Sequence, residues 1–323
     1  MYVGKQLMSL PLDHRTMAEY PDLPSACAEA GCDGLEMIWG GEELPKNLPK
    51  EVRVGYHLAF YPDWLDFWNG DLTALRLKFG ADQVWREFYG GEGRERLLAF
   101  YREDLERAAS LEAQYVVFHV SDVSVEEGYT YQWLHTDQAV IEAAIEVLNL
   151  LFAGQDWPFD LLVENQWWPG FTFTDPRQTA MLLDGIRFPR KGIMLDTGHL
   201  MNCNLELTTE AEGVRYLHEM LDRHGDLCRA VRGVHLHQSL SGAFVKTHTG
   251  RLPPSLPADY YGRYSVGYRQ ILAIDRHEPW HEPAIQSVLQ RIAPQYIVHE
   301  LCASNRKERR QRIAAQQRTL RRL

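Results

Sequence analysis

The sequence predicts a single (β/α)8 TIM barrel over residues 1–323, with an enlarged loop after its seventh strand. Three observations point there. The chain has 323 residues, enough for a barrel of about 250 with loop insertions. Eight short apolar runs, mostly β-branched or aromatic, recur along it, and most precede an amphipathic helical stretch. A polar residue of metal-ligand type closes most of those runs.

The first run is 6–10. The second, 34–39 (GLEMIW), follows an Ala-rich helical patch at 25–30 and a stop at Gly31. The third, 52–60, leads to a helix over 94–113 with Leu97, Leu98, Tyr101, Leu105 and Ala108 on one face. The fourth, 115–120 (YVVFHV), precedes a helix over 136–152 capped by Thr136 with Asp137 in its first turn. The fifth is 159–163, with a helix over 175–183. The sixth is 192–195, with a helix over 208–221 that starts at Thr209 and Glu210. The seventh is 231–236. The eighth, 296–301, is reached through a helix over 283–292 and followed by a basic helix over 306–323. Buried parallel strands need right-handed helical crossovers, and eight such units close into a barrel. Segment 40–51 is too proline-rich for a good helix, and 239–274, with Pro253, Pro254 and Pro257, reads as the enlarged loop at the mouth. A doubly wound open sheet is the alternative, but no glycine-rich phosphate loop follows the first run.

Net charge is −10 and the pI is near 5.7. Residues 306–323 oppose this, with eight Lys/Arg against the single acid Glu308. They read as a solvated closing helix with Ile313, Leu320 and Leu323 available for packing, so the charge does not favour nucleic acid. The five cysteines form no CxxC pair or regular framework, as suits a reducing cytoplasm. The N-terminal stretch lacks the pattern of a secretion signal, and no apolar run approaches a membrane span. A cytoplasmic protein with no membrane association is the expectation; the sequence leaves the oligomeric state open.

Chemistry in such a barrel gathers at the C-terminal strand ends. There stand His57 (VGYHLAFY), His119 (VVFHVSD), Glu164 (LLVENQ), Asp196 and His199 (IMLDTGH), His235 and His237 (GVHLHQ), and Glu300 (IVHELCA), with Asp275 and His277 (AIDRHEP) in a late loop. One histidine in an apolar strand is an ordinary core residue, and one glutamate an ordinary ion-pair partner. Jointly they need another explanation, because several carboxylates crowded together require cations. Mixed imidazole and carboxylate donors suit zinc or manganese better than magnesium or calcium.

From Gly31 (AGCDGLEM) to Glu300 the chain resembles the xylose-isomerase-like barrels, the superfamily of sugar isomerases, ketose epimerases and the endonuclease IV group of abasic-site nucleases. The resemblance implies a divalent-metal enzyme. Glu164, Asp196, His235 and Glu300 match the quartet that binds one metal in the epimerases, and Asp196-x-x-His199 is common to both branches. The nuclease branch holds three zinc ions with nine ligands, and His57, His119, Glu164, Asp196, His199, His235, Asp275, His277 and Glu300 match that set. The Asp275-Arg276-His277 triplet is its sharpest element. Phe60 and Tyr61 match positions where that group places side chains that probe the duplex. Three features depart: 40 residues separate His235 from Asp275, Val120-Ser121 replaces a Pro-Gly after His119, and the charge is acidic.

The resemblance therefore implies zinc, up to three ions, with manganese or magnesium as alternatives. The expected reaction is hydrolysis of a phosphoester, DNA or small molecule, with Glu164, Glu300 and His199 as catalytic residues. The alternative is isomerisation or epimerisation of a sugar or sugar phosphate at a single metal; a non-catalytic barrel is a third possibility. The string His277-Glu278-Pro279-Trp280-His281 spells a zinc-protease motif, but Pro279 breaks the helix that motif needs. Tyr61, Trp64, Phe67, Trp68, Trp167 and Trp168 are core packing or a platform for a sugar ring or base. Glu36 reads as a structural carboxylate at the mouth. His237, His281 and His299 are candidates for orienting the ligands.

Overall fold

The computed structural model describes residues 4–41, 43–45 and 48–321. Eight parallel strands close into a barrel in chain order: β1 (Lys5–Pro11), β2 (Gly34–Ile38), β3 (Arg53–His57), β4 (Tyr115–His119), β5 (Asp160–Glu164), β6 (Lys191–Asp196), β7 (Val231–His235) and β8 (Tyr296–His299). β8 pairs with β1 through Lys5 to Met8, which completes the ring.

Side chains alternate across each strand. Met8, Leu10, Leu35, Met37, Val116 and Val163 pack outward under the helices. Leu7, Tyr115, Val117, Leu162, Met194 and Val298 fill the interior. Large residues pass through gaps that glycines leave: a Cβ on Gly55 would lie 2.3 Å from the Tyr115 phenol ring, and one on Gly233 would lie 2.5 Å from the Met194 methyl. The barrel centre is thus packed, and the free space lies at the strand ends.

Helices Arg94–Ser110, Asp137–Phe152, Pro176–Gly185, Glu210–His224 and Ile285–Ile292 form much of the outer layer. Thr136 and Thr209 cap two of them as expected, each hydroxyl accepting from the amide three residues on. Between β2 and β3 the described residues hold only a short 3-10 turn, Lys50–Val52. Arg306–Leu320 closes the layer by burying Ile313, Gln316 and Thr319, while Arg306 pairs with Glu29 and Arg312 with Glu278. Leu323 lies outside the described residues.

Two stretches differ from the sequence expectation. Residues between the third run and the 94–113 helix fold into three short helices, Leu65–Asn69, Leu72–Phe79 and Asp82–Tyr89. The enlarged loop after β7 is itself largely helical, with Gly242–His248 and Tyr260–Ile274 flanking the three prolines. Asp259 caps the second of these by accepting from the Gly262 amide. Phe79 stacks on Tyr260 at 4.0 Å between ring centroids, and Phe88 lies against Tyr260 and Tyr264, so the insertions after β3 and β7 meet over the barrel mouth. Among the described residues no helix is long and apolar enough to cross a membrane.

Candidate metal centre

Strand register sets the donors side by side. His119 pairs with Glu164 and Asp196 with His235, and all four stand at the ends of their strands with side chains inward. His57 ends β3, and Glu300 follows β8 directly. Asp196 also caps the helix Thr197–Asn202: its Oδ1 accepts from the His199 amide at 2.6 Å. That N-cap geometry is why the D-x-x-H spacing folds His199 back beside Asp196. Asp275 ends helix Tyr260–Ile274, and His277 adopts a left-handed backbone (φ 47°) that returns its Nε2 to 2.5 Å from Asp275 Oδ2. A non-glycine residue in that conformation is strained, which suits a functional turn.

The nine predicted positions fall into three adjoining groups whose donor atoms lie within 4.8 Å of one another: His57, His119 and Glu164; Glu164, Asp196, His235 and Glu300; and His199, Asp275 and His277, joined by His237. Glu164 belongs to two of them. Its Oε2 lies 3.1 Å from His57 Nε2 and 3.0 Å from His119 Nε2, and its Oε1 3.2 Å from both His199 Nδ1 and His235 Nδ1.

The residues fit a divalent cation. Glu164 Oε1, His235 Nδ1 and Glu300 Oε2 are buried with no hydrogen-bond partner among the described residues, although His235 Nδ1 is only 2.9 Å from Glu300 Oε2. These atoms converge without aligning as donor and acceptor. Native interiors leave few such atoms, and lone pairs aimed at one point are what a metal requires.

Electrostatics agree. Burial opposes the charged form of His57, yet Glu164 prevails and holds the imidazole up at about 9; His277, against Asp275, is held up at about 10. His199 and His235 are likewise raised well above the ordinary value, against burial, by the carboxylates around them. His119 is lowered, because burial and the charges of His57 and His199 outweigh Glu164. Glu164, Asp275 and Glu300 are held low, against burial, by the surrounding imidazoles. The raised imidazoles and the lowered carboxylates balance one another, and a bound cation would compete with protons for the same donor atoms.

Two residues gain roles that the motifs did not assign. Glu36 is fully buried below the quartet, where its Oε2 accepts from the Tyr115 hydroxyl at 2.8 Å and its Oε1 lies 3.0 Å from His235 Nε2. It fixes the His235 ring so that Nδ1 faces the quartet. Glu36→Gln is expected to lower metal affinity about 10- to 100-fold, measured by competition with a chelating dye; unchanged affinity would remove Glu36 from this role. His237 stacks parallel to His277, with centroids 4.0 Å apart and planes 6° apart. One ion cannot lie in the planes of both rings, so His237 is better placed as a partner of Asp196, whose Oδ2 is 2.8 Å from its Nε2. Gly198 leaves room for that ring, since a Cβ there would come within 2.1 Å of it. The signal was in the sequence, because His235 and His237 share one strand face.

Other candidates lie elsewhere. His299 points outward, with Nδ1 against Gln316, and His281 is exposed. Residues 278–282 are not helical, so the protease-like string does not form its site. Tyr61 packs into an aromatic cluster with Phe88, Tyr89 and Phe100, whereas Phe60 stays 44% exposed with its ring 4.2 Å from His119. The proposed pair of duplex probes is therefore split. Trp64, Phe67 and Trp68 are core, while Trp167 and Trp168 wall a cavity of about 600 Å³ above the donors. His57, His119, His199, Asp275, His277 and Glu300 also border it. Among the described residues Arg309 is the only Lys or Arg that does so.

The fold has many solved relatives. A D-allulose 3-epimerase from Methylomonas sp. superposes with a TM-score of 0.55 at 12% identity, covering 99% of this chain and 98% of that one. A D-tagatose 3-epimerase-like protein gives 0.52 at 15% identity, covering 98% and 97%. The IolI protein with a bound zinc atom gives 0.51 at 14% identity, covering 98% and 96%. Likeness at such identities establishes the architecture alone. No curated protein sequence matches. The sequence model described as "Xylose isomerase-like TIM barrel" matches residues 24–323, nearly the whole chain, and the chain belongs to that family.

Proposed function

We propose that this enzyme isomerises or epimerises a sugar-like small molecule with the aid of a divalent metal, zinc or manganese, held by Glu164, Asp196, His235 and Glu300. One observation carries the reading: Glu300, a member of this four-donor group, borders an aromatic-walled cavity on which Arg309 is the only Lys or Arg among the described residues. Such a pocket suits a neutral polyhydroxylated ligand, whose apolar ring faces stack on aromatic side chains. The sugar epimerases among the solved relatives lend the same direction. A bound ion would polarise a carbonyl and its neighbouring hydroxyl.

The chain's own groups move the proton. Glu300 borders the cavity with its side chain 19% exposed, whereas Glu164 is 1% exposed and lies behind it. Of the two glutamates, the Glu300 carboxylate is thus the one placed to take a proton from the carbon next to the carbonyl and return it. Glu164 holds the imidazoles, and the two insertions pack against each other through Phe79, Phe88, Tyr260 and Tyr264 beside the cavity.

A second reading is phosphoester hydrolysis at a site of up to three ions. The two further donor groups beside the quartet favour it; the single bordering arginine and the net charge of −10 weigh against a phosphate or DNA substrate. Metal stoichiometry by elemental analysis, with a ketose-epimerisation assay beside a phosphodiester assay, separates them. His277→Ala is expected to leave epimerisation within about tenfold, since it removes no quartet donor. Absence of any epimerisation, with hydrolysis that His277→Ala abolishes, would replace the first reading by the second.

A further inference from the structure

We infer that the cavity is an extended groove for a sugar chain or glycoside, with a second polar subsite far from the metal donors; this rests on the sugar reading above. Helix Tyr260–Ile274 supplies one whole wall. Tyr260, Tyr264, Tyr268, Ile271, Leu272 and the capping Asp275 all border the cavity, a spacing of three and four that places them on one helix face. Fifteen residues separate Tyr260 from Asp275, about 22 Å along an α-helix. The cavity therefore runs from the metal donors to the start of this helix, several times the width of one sugar ring.

The far end is built for a polar ligand group. Tyr260 is 3% exposed and Asp63 2%, both border the cavity, and the Tyr260 hydroxyl and Asp63 Oδ2 have no hydrogen-bond partner among the described residues. Asp63 is held in place through its other oxygen, 2.7 Å from the buried Lys78 ammonium. Burial, then the charge of Asp63, raises the Tyr260 phenol above its ordinary value, so it remains a donor. A donor and an acceptor, each left open where it borders the same cavity, suit a sugar hydroxyl, which gives one hydrogen bond and takes another. Between the two ends the lining is aromatic and aliphatic, with Tyr264 and Tyr268 on the helix and Trp167 and Trp168 from the loop after β5. Rings repeating along a chain would stack there. Among the described residues Arg309 is the only bordering Lys or Arg, too few for the several charges of a phosphate-linked chain.

The test titrates the metal-loaded protein with hexoses and with the di- and trisaccharides built from them, followed by calorimetry and tryptophan fluorescence. Affinity is expected to rise about tenfold or more from monosaccharide to trisaccharide. Tyr260→Phe, which keeps the ring and removes only the hydroxyl, should lose much of that gain and leave monosaccharide binding unchanged; Asp63→Asn is the second variant. Equal affinity for all lengths, or a gain that Tyr260→Phe leaves intact, overturns the extended groove. Monosaccharide turnover by the same preparation then shows whether the epimerase reading survives without it. If no sugar of any length binds or turns over, both fall.

Discussion

Glu164→Gln is expected to strip the quartet of its metal and to lower activity by about 10²- to 10⁴-fold, the range for losing one essential ionisable group. The reason is its position. Both carboxylate oxygens face imidazole nitrogens, His57 and His119 on one side and His199 and His235 on the other, all within 3.2 Å. An amide of the same shape replaces one acceptor by a donor and removes the negative charge that the surrounding groups share. Elemental analysis should show the quartet emptied, while Asp275, His199 and His277, which form a separate donor group, keep their arrangement. A variant with full metal content and full turnover would mean that the donors do not act as a cluster. A variant that loses all activity but binds metal as before would make Glu164 a proton carrier and shift the proton-transfer role away from Glu300.

Much of the barrel and its rim is legible in the sequence because both depend on short-range rules. The apolar runs have the length of strands, and alternation alone turns His57, His119, Glu164, Asp196 and His235 to the same side. Asp196 and His199 are linked by an N-cap, itself a local pattern. The insertions were harder. Leu65–Asn69, Leu72–Phe79 and Asp82–Tyr89 have five to eight residues each, too short for a stable period, although each ends at a glycine with positive φ, Gly70, Gly80 and Gly90. In Tyr260–Ile274 the three preceding prolines masked a capped helix whose apolar residues recur every three or four positions. Glu36 could not be assigned from the sequence, because its role depends on Tyr115 reaching across the barrel through the space that Gly55 leaves. Contacts of that kind are set by tertiary packing, which no local pattern encodes.

Removing the metal is expected to lower the melting temperature by about 4–6 °C for each ion lost. A ligand bound only to the native state stabilises it by roughly 2.7–4.1 kcal/mol at 100 to 1,000 times its Kd. For a chain of 323 residues, each kcal/mol moves the midpoint by about 1.5 °C. The structure gives this linkage a specific location. Glu36, Asp196 and Glu164 are at most 1% exposed, and against burial the surrounding carboxylates raise His199 and His235 well above the ordinary imidazole value, a charge balance that a cation would take over. Binding should therefore release protons, measurable as acidification of a weakly buffered solution when zinc or manganese is added. The decisive comparison is chelation of Glu164→Gln. A variant that has already lost the quartet ion has less to lose, so its melting temperature should fall by a smaller step than the parent's. Equal steps in the two proteins would place the stabilising ion outside the rim, and no shift in the parent after verified metal loss would deny the cluster any part in holding the barrel mouth together.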